Sequence, residues 1–284
     1  MKTGFIGLGC LGKAMAKRLI STDAKLTVWN RTKEKAADLG VPVAESPAKL
    51  VSSVDVLFLN LFDSDAVAAV MTGRDGLLEG DCKDKVIVDT TTNHFGRVDD
   101  FYRMMQEKGA SYLESPVIGS VVPASQGTLT VLVSGKKEDY DRALPLIEKI
   151  GKNIFYLEKP SLATKMKLIN NLALGAFMTS LAEAVSLGEK SGIDKAAVLD
   201  ILSAGAGNSA VLNAKREKLL KEDFSRQFSS SLMYKDLHYL QDLARSINRP
   251  LLTGSIVKEI FGMALARDMG DLDLSVVYRI FKEY

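Results

Sequence analysis

The chain has 284 residues, a length that suits one large domain or, more readily, two. Its 46% hydrophobic and 25% charged residues are the ordinary globular mix, which excludes disordered and fibrous classes. Lysine and arginine number 37 against 35 aspartates and glutamates, a net charge of +2, too even for a protein that grips nucleic acid through a basic face. Cys10 and Cys82 make no disulfide framework, so a reducing cytoplasm is expected. His94 and His238 lie far apart without metal-ligand spacing, and no metal is expected. No apolar run is read as approaching the ~20 residues of a membrane span, and Gly4, Gly7 and Gly9 interrupt any signal-peptide core. No membrane partner is expected.

Residues 3–7 read as a short apolar strand, and Ala14, Leu19 and Ile20 among Lys13, Lys17 and Arg18 as a helix after it. A strand over 26–29, a helix over 34–39 and strands over 54–59 and 85–88 follow. Strands alternating with helices predict a parallel sheet covered on both faces. Near residue 112 the rhythm changes. Residues 112–115, 128–133 and 154–157 read as strands around a turn-rich stretch at 119–127, extending the sheet, with an antiparallel piece left open. From Ala163 to Ser191 there is no proline, and Met166, Ile169, Leu172, Leu174, Phe177, Leu181 and Leu187 recur near helical spacing, with Gly192 as the cap. A helix of about 28 residues would span ~42 Å. Residues 194–284 hold several helical patterns and no clear strand. The expected fold is α/β: an N-terminal Rossmann-type doubly wound sheet over 1–160, a long interdomain helix over 161–193 and an all-α C-terminal domain over 194–284.

Gly7-Leu8-Gly9-Cys10-Leu11-Gly12 is a G-x-G-x-x-G set between the first strand and the first helix, the context in which the pattern binds a dinucleotide. Gly7 permits the tight turn, Gly9 the approach of a pyrophosphate and Gly12 close helix–strand packing. The helix N-terminus then offers its free N–H groups to the anion. An ordinary glycine turn is the bland alternative. The second strand ends in Trp29-Asn30-Arg31-Thr32-Lys33, with no carboxylate to accept from a free ribose 2′-OH. Arg31 offers a planar fork, Thr32 a hydroxyl and Lys33 a further charge, all suited to a 2′-phosphate. NADP(H) is expected over NAD(H), against the bland alternative of basic residues solvating a helix start.

Further segments follow in order along essentially the whole chain. Residues 4–12 are similar to G-F-I-G-L-G-x-M-G, with Leu11 in place of Met, and Asn30-Arg31-Thr32 to N-R-T. Asn60-Leu61-Phe62 stands at M-L-P, and Asp89-Thr90-Thr91-Thr92 at D-x-S-T. Glu114-Ser115-Pro116-Val117-Ile118-Gly119-Ser120 stands at D-A-P-V-S-G-G, followed by Gly127-Thr128-Leu129. Lys167-Leu168-Ile169-Asn170-Asn171 is similar to K-x-x-N-N, and Lys235-Asp236-Leu237 to K-D-L. On these motifs the chain resembles the β-hydroxyacid dehydrogenase family, which includes 3-hydroxyisobutyrate dehydrogenases, tartronate semialdehyde reductases and glyoxylate/succinic semialdehyde reductases.

The resemblance implies an NADPH-dependent oxidoreductase that moves a hydride between the nicotinamide and a small aldehyde, keto acid or β-hydroxy acid. Lys167 is implied as the general acid/base, and Asn171, four residues on and so on the same helix face, as its catalytic companion, either hydrogen-bonding the reacting oxygen or orienting the Lys167 ammonium. Burial of that ammonium would draw its pKa toward working pH. Residues 7–12, Asn30, Arg31, Thr32, Leu61, Phe62, Thr92 and Lys235 are implied at the cofactor, and Thr92, Ile118, Gly119 and Ser120 at the substrate. A homodimer or homotetramer is implied as well. The departures are informative. Ile118 replaces a serine whose hydroxyl helps hold a substrate carboxylate, and Ser120 replaces a glycine. Phe62 and Phe95 add apolar surface. Two other readings stay open: a catalytically weak NADP-binding module, or a reductase of less polar carbonyl or imine substrates. His94 is weighed as an acid against a structural role.

Overall fold

The computed structural model describes residues 1–283, which form two compact units, Met1–Lys167 and the remainder from Leu168 on. The first unit opens with β1 (Lys2–Ile6), α1 (Cys10–Ser21), β2 (Lys25–Trp29), α2 (Pro47–Ser53), β3 (Val56–Leu59), α3 (Ser64–Thr72), β4 (Val86–Asp89), α4 (Phe95–Glu107) and β5 (Ser111–Glu114). The five strands are parallel in the order β2-β1-β3-β4-β5. A parallel bridge from Val28 to Val43 adds a rudimentary strand outside β2. Counting it, the order is that of a Rossmann sheet, and the strand order reverses between β1 and β3.

The strands read as unbroken apolar runs because both faces are buried. Phe5, Val56, Phe58, Val86 and Val88 lie in one core cluster with Met15 and Leu19 of α1. Ile6, Leu57, Leu59 and Ile87 alternate into a second cluster with Leu50, Val67, Val98 and Phe101.

Three expectations need correction. The helix read over 34–39 is only a 3₁₀ turn at Lys33–Ala36. Gly40, with φ +64°, ends it, and residues 42–44 must be extended to pair with Val28 through Val28 N–H to Pro42 O and Ala44 N–H to Val28 O, both 2.9 Å. The strands after β5 do not extend the sheet. β6 (Val117–Ile118), α5 (Val121–Gln126), β7 (Leu129–Val133), α6 (Lys137–Ile150) and β8 (Gly151–Tyr156) build a second sheet, β6-β7-β8, with β6 antiparallel to β7 and β8 parallel to it. Pro116, between β5 and β6, cannot donate to a ladder and marks the break. Lastly, α7 (Leu162–Lys190) is long and apolar enough to cross a bilayer by length and composition alone, where no such run was expected. Of its most apolar 18-residue window 44% is buried within the protein.

α7 ends in a left-handed cap: Gly192 has φ +85°, and the N–H groups of Gly192 and Ile193 donate to Glu189 O and Gly188 O, both at 3.0 Å. The division between the two units falls inside α7, after Lys167. The second unit continues with α8 (Lys195–Ala204), α9 (Ala210–Lys221), α10 (Ser230–Ser246), α11 (Leu252–Ala266) and α12 (Val277–Lys282), and has no strand among the described residues. Asp194, Ser209 and Ser229 cap the first N–H groups of α8, α9 and α10 with their side chains.

Candidate active site

The turn from β1 to α1 is shaped by missing side chains. A Cβ on Gly7 would fall 2.1 Å from Asn60 O, and Gly7 itself has φ +99°. A Cβ on Gly12 would fall 2.0 Å from Gly7 O, so helix and turn can close only on a glycine. A Cβ on Gly9 would meet nothing within 4 Å. Gly9 is also the N-cap of α1, where no side chain accepts from the first-turn N–H groups. Two glycines are thus required by the protein's own atoms. The third opens the backbone outward at a helix N-terminus, which fits a diphosphate.

Asn30 ties this turn to β2. Its Oδ1 accepts the Leu8 N–H at 2.8 Å and its Nδ2 donates to Thr32 O at 2.8 Å, so its side chain braces the turn from within. Arg31 and Thr32 stand exposed just beyond β2, while Cys10 is exposed and Leu11 half-buried at the start of α1. The nearby Asp38 carboxylate is held by the Lys13 and Lys17 ammonium groups at 2.5 and 2.9 Å, which pull its pKa down to about 2.

A hydrogen-bonded lattice joins the loops after β3 and β4. Asn60 Nδ2 donates to Thr90 Oγ1 at 3.0 Å, and Leu61 N–H to Thr91 Oγ1 at 3.0 Å. Ser64 Oγ donates to Asn93 Oδ1 at 3.1 Å and accepts His94 N–H at 2.7 Å. The buried Asp89 carboxyl anchors the lattice, accepting from Thr91 N–H, Asn93 Nδ2 and the Tyr112 hydroxyl at 2.9, 2.8 and 2.6 Å. Burial pushes the Asp89 pKa up, against the pull of these donors. The lattice sets the half-buried Leu61 and Thr92 and the exposed Phe62 at the carboxyl ends of β3 and β4. His94 is the N-cap of α4. Its Nδ1 accepts Gly96 N–H at 3.1 Å and its ring stacks on Phe95, a structural role.

After β5 the chain passes through Glu114, Ser115 and Pro116 to the half-buried Ile118, the exposed Gly119 and Ser120 at the N-cap of α5. Gly119 has φ +121°, a conformation that favours glycine. Glu114 is buried and caps α7 from a distance: its carboxylate accepts the N–H groups of Ser161 and Thr164 at 2.5 and 3.1 Å. Lys167, one turn further along α7, is only 6% exposed.

In the second unit, Asn171 is fully buried on α7. Its Nδ2 donates to Asp236 Oδ2 at 2.6 Å, and its Oδ1 accepts from Asn170 Nδ2 at 3.1 Å. Lys235 Nζ stands 3.0 Å from the other oxygen of Asp236 and 5.0 Å from the centre of the Tyr239 ring. The sequence offered Asp236 only within the K-D-L motif and as an ion-pair partner for Lys235; its bond to Asn171 was not foreseen. A signal was present: Met233, Asp236, Leu237 and Leu240 form one buried stripe of α10, and an acid on an apolar stripe needs a reason. His238 packs edge-on against Tyr234, and its pKa is lowered by burial and by Lys258. Among the described residues no group of three His, Cys, Asp or Glu side chains could hold a metal ion.

Residues 2–157 match the NAD binding domain of 6-phosphogluconate dehydrogenase, and residues 162–281 match the family described as NAD-binding of NADP-dependent 3-hydroxyisobutyrate dehydrogenase. The chain is 32% identical to glyoxylate/succinic semialdehyde reductase 1 of Arabidopsis thaliana, over 99% of each chain. It is 32% identical to the human cytokine-like nuclear factor N-PAC over 99% of this chain, and spans about half (51%) of that longer protein. Among solved structures, Psf3 in complex with NADP+ and 2-OPP superposes with a TM-score of 0.90 at 28% identity, covering 98% of this chain and 99% of the other.

Proposed function

The chain belongs to the β-hydroxyacid dehydrogenase family, an NADP-dependent oxidoreductase acting on CH–OH groups, and on that premise we propose that it reduces small aldehyde or keto acids with Lys167 as the general acid. The observation that carries the proposal is the burial of Lys167. That burial falls on the lysine that opens the K-x-x-N-N segment, the position to which the family resemblance assigns the acid. Glyoxylate and succinic semialdehyde, after which the Arabidopsis thaliana relative is named, are the first substrates to try.

The turn of Gly7, Gly9 and Gly12 would hold NADPH, which would supply the hydride. The chain supplies the rest. Lys167 Nζ gives its proton to the carbonyl oxygen as that oxygen becomes a hydroxyl, and takes it back in the reverse direction. Asn171, held by Asp236 and Asn170, keeps the adjoining turn of α7 in one arrangement. Ser120 and the Gly119 backbone receive the substrate carboxylate beside Ile118, which has no group to donate. Arg31 and Thr32 would receive the 2′-phosphate, and Leu61, Phe62 and Thr92 would line the cofactor.

The test is NADPH consumption with glyoxylate, succinic semialdehyde and an uncharged aldehyde of similar size. Turnover of at least one acid substrate well above the no-enzyme rate is expected. A protein that binds NADPH and oxidises it with none of them would favour the binding-module reading instead.

A further inference from the structure

The first turn of α7 is capped from a distance. The chain enters it through Glu158 and Ser161, non-glycine residues with φ +60° and +68°. Such a conformation persists only where the surroundings over-determine it. Here the surroundings are Glu114, from the end of β5. Its Oε1 accepts the Ser161 N–H at 2.5 Å and its Oε2 the Thr164 N–H at 3.1 Å. The Tyr102 hydroxyl reaches both Glu114 Oε1 at 3.3 Å and Ser134 O at 2.8 Å. Ser134, bridged to Glu114, takes the Ala163 N–H on its Oγ at 3.0 Å. Three amides of the first turn therefore close on β5 and on the residue paired with it.

An acceptor from the local chain would satisfy those amides at less cost, as Asp194, Ser209 and Ser229 do for α8, α9 and α10. α7 uses instead a buried carboxylate, whose pKa burial raises although the amides of the turn favour its charged form. What the remote cap adds is position. Lys167 follows Thr164 by three residues and so lies one turn along the same side of α7. In the other direction, Glu114 leads through Ser115 and Pro116 into Ile118, Gly119 and Ser120.

We propose that Glu114 is a positioning residue for proton transfer: by fastening the first turn of α7 to the end of β5, it fixes where Lys167 Nζ stands relative to the segment Pro116–Ser120. This rests on the reading of Lys167 as the general acid. Glu114 touches neither substrate nor cofactor. It acts through the helix.

The test compares Glu114→Gln, which turns one of the two acceptors into a donor facing a backbone N–H, with Glu114→Asp, which keeps the carboxylate. At saturating NADPH and substrate, Glu114→Gln is expected to lower kcat about 10- to 100-fold, the scale of a misplacement near 1 Å. The NADPH Kd by fluorescence titration and the substrate KM should stay within about threefold. Glu114→Asp should recover to within about fivefold of the parent kcat. In a Lys167→Ala background, Glu114→Gln should cost less than about twofold more, because the group it positions is gone. Full additivity in that cycle, or an unchanged kcat in Glu114→Gln, overturns the proposal. Should Glu114→Gln not fold, Tyr102→Phe removes one donor to the same carboxylate. It is expected to lower kcat two- to tenfold at unchanged NADPH Kd, and a parent-like kcat there overturns the proposal equally. If Lys167→Ala alone keeps more than about a tenth of kcat, the premise fails, and that single variant shows it without reference to Glu114.

Discussion

Two strand ends of the first unit carry most of the inferred site, and they are built on opposite plans. The turn after β1 is defined by atoms that are missing: Gly7 and Gly12 are glycines because a Cβ there would lie about 2 Å from backbone oxygens. The end of β5 is defined by side chains bound to distant partners: Tyr112 to Asp89, Glu114 to α7, and Ser134, bridged to Glu114, to α7. A backbone-defined turn leaves little room for substitution, so its residues spell a pattern. A side-chain-defined segment can change members while its frame persists. Here the chain departs from the family pattern at Glu114, Ile118 and Ser120, standing for Asp, Ser and Gly, whereas the glycine turn keeps all three glycines and changes only Leu11.

If the first region binds and the second reacts, substitutions in each should move different quantities. The largest effect is expected for Lys167→Ala, which should lower kcat by about 10²–10⁴-fold, the usual worth of a positioned general acid, with NADPH Kd and thermal unfolding little changed. Parallel loss of cofactor affinity would break the comparison. Arg31→Ala should act the opposite way, removing a NADPH-over-NADH preference of roughly 10- to 100-fold in kcat/KM while sparing kcat at saturating cofactor. Steady-state kinetics with both cofactors checks it, and equal kcat/KM values in the parent would exclude it.

Ile118→Ser sharpens the comparison inside the second region. Restoring a hydroxyl should improve kcat/KM for glyoxylate or succinic semialdehyde, relative to an uncharged aldehyde, by up to about 10-fold, part of the 1.5–3 kcal/mol of a hydrogen bond to a charged group. An unchanged ratio means that Ser120 and the Gly119 backbone already hold the carboxylate. The smallest effect is on stability. Tyr112→Phe withdraws one donor from buried Asp89 and should cost about 1–3 kcal/mol in urea unfolding. The sign with pH follows from the raised native pKa of Asp89, which burial sets. The contribution of such a carboxyl to stability is full below its unfolded pKa and is lost as pH rises through the native one. Removing a donor that favours the charged form raises the native value further, so the deficit should widen with pH across that window.

Legibility in the sequence followed the same division. The glycine turn, the alternation of strands and helices, and α7 with its Gly192 cap could all be read, because each rests on local spacing. Val43 could not: a strand of one bridging residue has no period, and the apolar residues near it mimicked a helix over 34–39. The second sheet was half legible, since its strands show in the pattern but the break at Pro116 says nothing about where they pair. Glu114 was recognised only as a letter of a motif, and Asp236 only as that and as a partner for its neighbour Lys235. Their partners lie 47 to 65 residues away, at Ser161, Thr164 and Asn171. What marked them locally was only the oddity of an acid on an apolar face.

Gly9 shows where folding and function part company in this molecule. Its φ of −69° is open to any residue, and a methyl group there would touch no neighbour. Alanine would lose a little as an N-cap and gain a little by narrowing the unfolded ensemble, two terms that nearly cancel. A chain selected for stability alone would therefore be indifferent to this position, and drift would fill it. The bare backbone at Gly9 thus answers to no neighbour within the fold, and a methyl group there would be felt only by a molecule lying against the turn.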